Sequence, residues 1–215
     1  MPDTGSLVLV VDDDESLRRS LERLLRVSGH DVRSFPSATA FLDYPDPDCP
    51  CCLVLDIRMP SLTGLDVQLA INEADRALPI ILMTGYADME TAIVGMKAGA
   101  VDFLLKPFDD GQLLEAVSNA LSRSREARKL RAEYLKLRRR FDQLTPRERQ
   151  VFELVSQGLL NNQIAGQLGT REGTVKLHRA NLVRKLEAHS VSDLVRMADR
   201  LRETPPPSNG ARVSA

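Results

Sequence analysis

Hydrophobic and polar positions follow two rhythms along this chain. In the first half, short strand-like runs recur: LVLVV at 7–11, DVRSF at 31–35, CLVL at 52–55, PIILM at 79–83 and VDFLL at 101–105. Helical patterns lie between them. Leu17, Leu21, Leu24 and Leu25 share one helical face, and Gly29 ends it. A second helix follows Gly64, a third runs to about Ala98 before Gly99, and a long one begins near Asp109. Continuous apolar strands alternating with helices predict an α/β domain, a doubly wound five-stranded parallel sheet covered on both faces.

The second half has only the helical period. Thr145-Pro146-Arg147-Glu148 is a capping box with proline at the first helical position. Val151, Phe152, Leu154 and Val155 give the apolar face behind it, and Gly158 stops it. NNQIAGQLG, EGTVKLHRANLVRKL and SVSDLVRMADRL follow as three more helices, the last starting at Ser190 or Ser192. Four short helices in so few residues predict a small all-α domain. Between the halves, residues 112–145 hold no Gly or Pro. Leu113, Ala116, Ala120, Arg123, Ala127, Leu130, Tyr134, Leu137, Phe141 and Leu144 mark a heptad seam. A long linker helix is expected there, either as a solvated connector or as a helix that pairs in a dimer.

Charge divides the chain in the same place. Residues 1–121 carry nine Lys+Arg against twenty Asp+Glu, and residues 122–215 carry twenty against ten. An acidic half joined to a basic half implies two jobs, with a polyanion as partner of the second. The run RSREARKLRAEYLKLRRR holds nine of those twenty positive charges and equally fits a solvated helix. No apolar stretch approaches the roughly 20 residues of a membrane span. The N-terminus lacks a basic region before its first apolar run, so the chain is expected in the cytoplasm, away from membranes. Cys49, Cys51 and Cys52 cluster in one place and read as reduced thiols.

Candidate chemistry gathers at the strand ends, where parallel sheets bind ligands. Asp12, Asp13, Asp14 and Glu15 follow the first strand, Asp56 the third, Thr84 the fourth, and Lys106-Pro107 the fifth. Asp14 or Glu15 also suits the cap of the first helix. Three close carboxylates repel, and a hard cation such as Mg²⁺ relieves that. A carboxylate can attack phosphorus, with a metal and a lysine neutralising the phosphoryl oxygens. Asp56 stands alone at a central strand end and is the best nucleophile. A flavin or nucleotide site would need a Gly/Ser/Thr loop where DDDE stands. A phosphatase of the haloacid-dehalogenase type would need an acid two residues after its nucleophile, where Asp56 has Arg58; Asp12 and Asp14 do have that spacing.

VVDDDES, LVLDIRMPSLTG, ILMTGYAD and MKAGAVDFLLKPF resemble, in order and spacing, the receiver domain of bacterial response regulators. The resemblance implies a flavodoxin-like strand order 2-1-3-4-5 and a chain that is no enzyme beyond its own phosphorylation and dephosphorylation. It implies Asp56 as phosphoacceptor from a sensor histidine kinase. It makes Asp12, Asp13, Asp56 and the main-chain carbonyl of Arg58 the Mg²⁺ site. Thr84 and Lys106 become phosphoryl-binding residues, Phe103 a rotating switch, and Lys106–Pro107 a cis bond. Arg58 and Gly85 occupy positions that govern dephosphorylation in that family.

In the basic half, Val175, Leu182 and Leu186 share one face of the third helix, and Thr174, Lys176, Leu177, Ala180, Asn181 and Arg184 the other. That outer face suits the major groove. His178, Arg179 and Lys185 flank it, within reach of phosphates. Residues 144–186 resemble the LuxR/NarL-type helix-turn-helix, with Lys176 and Leu177 foremost at the bases and Ala180 beside them. Thr170 and Arg171 depart from the apolar-plus-Ser pair that often precedes this helix.

The two resemblances together match the FixJ subgroup. They imply a phosphorylation-activated transcription regulator of a two-component system, which dimerises on phosphorylation and binds promoter DNA, with RNA polymerase a further partner. A DNA-binding protein whose receiver is never phosphorylated is the alternative. The expected divisions are a receiver at 1–121, a linker helix at 122–141, the helix-turn-helix domain at 142–202 and a disordered Pro/Ser/Gly-rich tail at 203–215.

Overall fold

A computed structural model describes residues 5–60, 62–74, 76–85 and 89–203. The chain forms two compact units that divide between Lys129 and Leu130. In the first, β1 (Leu7–Val11), β2 (Asp31–Phe35), β3 (Cys51–Asp56), β4 (Ile80–Thr84) and β5 (Asp102–Leu105) form one sheet in the order β2-β1-β3-β4-β5. Every pairing is parallel. The helices are α1 (Glu15–Val27), α2 (Ala38–Leu42), α3 (Gly64–Glu73), α4 (Met89–Lys97) and the start of α5 (Asp110–Asp142). β1 and β2 have the expected bounds, and the ends of β3, β4 and β5 differ from the expected ones by at most one residue.

The unbroken apolar strands are explained by what they bury. Alternate residues point to opposite faces. Val8, Val10, Cys52, Val54, Ile81 and Met83 pack with Leu21 and Leu25 of α1 and Leu113, Val117 and Leu121 of α5. Leu9, Val11, Leu53, Leu55, Ile80 and Leu82 pack on the other face with Phe41, Val67 and Ile71. The helix α2 has no counterpart among the helices read from periodicity. Five residues are too few to show a period; Ser37 caps it, and Phe41 is fully buried.

The second unit holds the end of α5, then α6 (Pro146–Ser156), α7 (Asn161–Gln167), α8 (Glu172–Leu186) and α9 (Val191–Arg202). The capping box at Thr145 and Glu148 is present, and Ser190 caps α9. Gly169 turns the chain from α7 to α8 with a φ of 61°, a conformation that suits glycine. Phe141 sits between the guanidinium groups of Arg138 and Arg149, 5.6 and 5.2 Å from its centroid, and meets Phe152 edge-on.

The heptad seam is largely consumed inside the two units. Leu113, Ala116 and Ala120 belong to the sheet core, and Leu137, Phe141 and Leu144 to the helical core. Between them Arg123 and Leu130 are exposed. The sheet unit also holds α5 beyond residue 121, because Cys51 N donates to the buried Ser124 Oγ and Arg128 pairs with Asp48. The three cysteines are free, and burial pushes the Cys51 thiol up to about 12. No described helix is long and apolar enough to cross a membrane. Residues 204–215, nearly all of the expected disordered tail, lie outside the described residues.

Candidate functional site

The parallel register brings the strand ends together. Val11 of β1 pairs with Leu55, so Asp12 and Asp56 follow on adjacent strands. Asp56 pairs with Met83 beside Thr84, and Thr84 pairs with Leu105 beside Lys106. Carboxylate oxygens of Asp12, Asp13 and Asp56 all lie within 4.8 Å of one another. Lys106 Nζ bridges two of them, 2.9 Å from Asp12 Oδ2 and 3.0 Å from Asp56 Oδ2.

Burial sets the electrostatics. Asp12 is 0% and Asp56 8% exposed. Desolvation raises the Asp56 pKa, against the neighbouring Lys106 charge and its hydrogen bond, while Asp12 adds to the rise. For Lys106, burial opposes the charge, but the hydrogen bond to Asp12 and the charges of Asp56 and Asp12 outweigh it and raise the pKa. Asp13 is exposed. The donors are all oxygens on a cluster richer in negative than positive charge, a set that fits a hard divalent cation.

The loops around Asp56 are tightly specified. Arg58 N donates to Asp56 Oδ1 at 3.3 Å, and Gly64 N donates to Ile57 O at 2.9 Å. A Cβ on Gly64 would stand 2.5 Å from Asp56 O and 2.9 Å from Ile57 Cα, so the turn admits only glycine without backbone movement. Thr84 is buried and donates to Gly85 O at 3.2 Å. Phe103 is 37% exposed, and the Lys106–Pro107 bond is cis.

Arg18, which the pattern of residue types does not mark, also belongs to this site. Its Nη1 donates to the Asp12 carbonyl at 2.7 Å. Asp14 caps α1, accepting from Ser16 N and Leu17 N, and helical spacing from that cap returns residue 18 to the strand end. This spacing was the available signal.

The second candidate face lies on α8. Val175, Leu182 and Leu186 are buried. Thr174, Lys176, Leu177, Ala180 and Arg184 are exposed, and Asn181 is half-buried. Leu177 is 61% exposed. The flanking residues divide. Half-buried Arg179 donates to Asn161 Oδ1, and Lys185 turns inward, 2.6 Å from Glu148 Oε2 and 3.2 Å from Gln143 O. His178 is half-buried. Arg171 stands at the N-cap of α8 without a side-chain cap bond.

Two family models match the chain: "Response regulator receiver domain" over residues 8–118 and "Bacterial regulatory proteins, luxR family" over residues 142–198. Nodulation protein W of Bradyrhizobium diazoefficiens is 44% identical over 198 residues, covering 92% of this chain and 87% of that protein. Transcriptional regulatory protein FixJ of Azorhizobium caulinodans is 42% identical over 191 residues, covering 89% and 90%. The solved structure of response regulator StyR superposes with a TM-score of 0.80 at 41% identity, covering 92% of this chain and 100% of that one.

Proposed function

Because the chain belongs to the response regulator receiver family and carries a LuxR-type DNA-binding domain, we propose that phosphoryl transfer to Asp56 switches its binding to promoter DNA. The observation that carries this is one lysine bridging two buried carboxylates beside a third, exposed one.

Asp56 Oδ attacks the phosphorus of a phosphohistidine on a sensor kinase. The P–O bond forms as the P–N bond breaks, and the imidazole keeps the electron pair and takes a proton. Asp12, Asp13, Asp56 and the Arg58 carbonyl would hold Mg²⁺, which when bound neutralises charge on the transferring group. Lys106 is already placed to pair with a phosphoryl oxygen on Asp56, and Thr84 exchanges its bond to Gly85 for another such oxygen. Phe103, partly exposed on the neighbouring strand, then turns inward. The remodelled face dimerises two copies, and two α8 helices enter adjacent major grooves. Thr174, Lys176, Leu177, Ala180, Asn181 and Arg184 meet bases and flanking backbone, with His178 and Arg179 toward phosphates. Lys185 serves by holding α8 to Glu148. We place the protein in the cytoplasm, with RNA polymerase as a downstream partner.

The test is intact mass after incubation with Mg²⁺ and acetyl phosphate. A single phosphate should add to the wild type, and none to Asp56→Asn or to a sample with chelator. No addition to folded wild type would sink phosphorylation by small donors.

A further inference from the structure

We propose that Arg18 is a positioning residue that sets Mg²⁺ affinity by fixing the direction in which Asp13 leaves β1; this rests on the metal-site reading above. Asp12 is held at every polar group. Its N–H donates to Phe35 O at 3.4 Å, Oδ1 accepts from Asp14 N at 2.8 Å, and Oδ2 takes Lys106 Nζ. Its carbonyl takes Arg18 Nη1 at 2.7 Å. That carbonyl belongs to the peptide unit joining Asp12 to Asp13, so holding it fixes the rotation that aims the next carboxylate. Asp14, on the far side, is fixed by its cap bonds to Ser16 N and Leu17 N.

Asp13 therefore sits between two anchored neighbours. Among the bonds that anchor them, only Arg18 reaches the linking carbonyl from a side chain. Groups that orient ligands without touching the ion are worth about tenfold or more in affinity elsewhere. Arg18 is a sharp case because its charge works the other way. A guanidinium near a cation site repels the cation, so a purely electrostatic role and a positioning role predict opposite signs.

The experiment is calorimetric titration of the unphosphorylated full chain with Mg²⁺, for wild type, Arg18→Gln and Arg18→Lys, beside Asp13→Asn, with circular dichroism of each. Positioning predicts that Arg18→Gln weakens binding about tenfold, and that Arg18→Lys, which keeps the charge and one donor, recovers part of the loss. Unchanged or tighter binding in Arg18→Gln overturns the proposal while leaving the metal site intact. Should Arg18→Gln not fold, Arg18→Met, which removes every donor at similar length, decides: unchanged or tighter binding overturns the proposal, and weakened binding supports it. Absence of Mg²⁺ binding by the wild type overturns the proposal together with the metal-site reading.

Discussion

At the carboxyl edge of the sheet, Asp12 and Asp56 are almost wholly buried and tied to Lys106 at 2.9 and 3.0 Å. On α8, Lys176 and Arg184 stand in solvent beside an exposed leucine. The first region concentrates charge on largely buried groups, where the low dielectric strengthens each interaction and geometry sets its partners. The second spreads charge into water, where it acts at longer range and weakens with salt. One is suited to chemistry on a small group, the other to a large polyanion. A destabilising change in one unit should therefore leave the fold of the other standing, because each packs its own core.

The largest test of that independence is Leu182→Ala. Leu182 is fully buried in the helical core, and truncation there costs about 3 kcal/mol. DNA binding should fail at elevated temperature while acetyl phosphate still labels Asp56. Loss of labelling in the same variant would break the separation. Gly64→Ala should do the reverse at a cost of about 2 kcal/mol, because its Cβ would meet the Asp56 backbone. Calorimetry should show the receiver transition lowered and the helical one unmoved, and labelling should slow.

How far these regions could be read from sequence differs for the same reason. Strand ends in a parallel sheet converge by topology, so Asp12, Asp56, Thr84 and Lys106 were legible once five strands were placed. The convergence needed no side-chain detail. Arg18 left only a positional signal, four residues past the Asp14 cap, because a helix residue reaching a backbone carbonyl leaves no pattern in residue type. The collision awaiting a Cβ at Gly64 is likewise a fact of space. On α8 the period separated the buried Val175, Leu182 and Leu186 from an exposed outer face, with Asn181 half-buried at its border. It did not reveal that Lys185 is taken up by Glu148, since a lysine at the border of a face can turn either way. The seam along residues 113–144 shows a limit of pattern reading: many of its positions fill two separate cores, which a heptad repeat alone does not distinguish from a surface that pairs.

Acid titration should separate the regions by sign. Burial raises the Asp56 pKa above its ordinary 3.8, so the folded receiver holds more protons there than the unfolded chain. Its stability should fall as pH rises from about 4, and in chelator Asp56→Asn should be the more stable protein at pH 7. Glu148 is the opposite case. Burial pushes it up, but hydrogen bonds from Lys185 and Thr145 outweigh that and lower it below its ordinary 4.5. Its contribution is present above 4.5 and lost as pH falls through the lowered value. Urea unfolding across pH 3 to 7 should show both slopes, and Glu148→Gln should flatten only the helical one.

The smallest expected effect distinguishes two cations one residue apart. Arg184 is exposed on the outer face of α8, and Lys185 is bound to Glu148 and the Gln143 carbonyl. A cation that neutralises a phosphate releases counterions, so its loss lowers the slope of log affinity against log salt by about one. Arg184→Gln should reduce that slope and leave the melting temperature unchanged. Lys185→Gln should leave the slope unchanged and lower the melting temperature, because it strands the buried Glu148 carboxylate. A wild-type slope for Arg184→Gln would mean that Arg184 does not reach the backbone. A reduced slope for Lys185→Gln would mean that Lys185 leaves Glu148 on binding DNA. The inward turn of Lys185 would then belong only to the free protein.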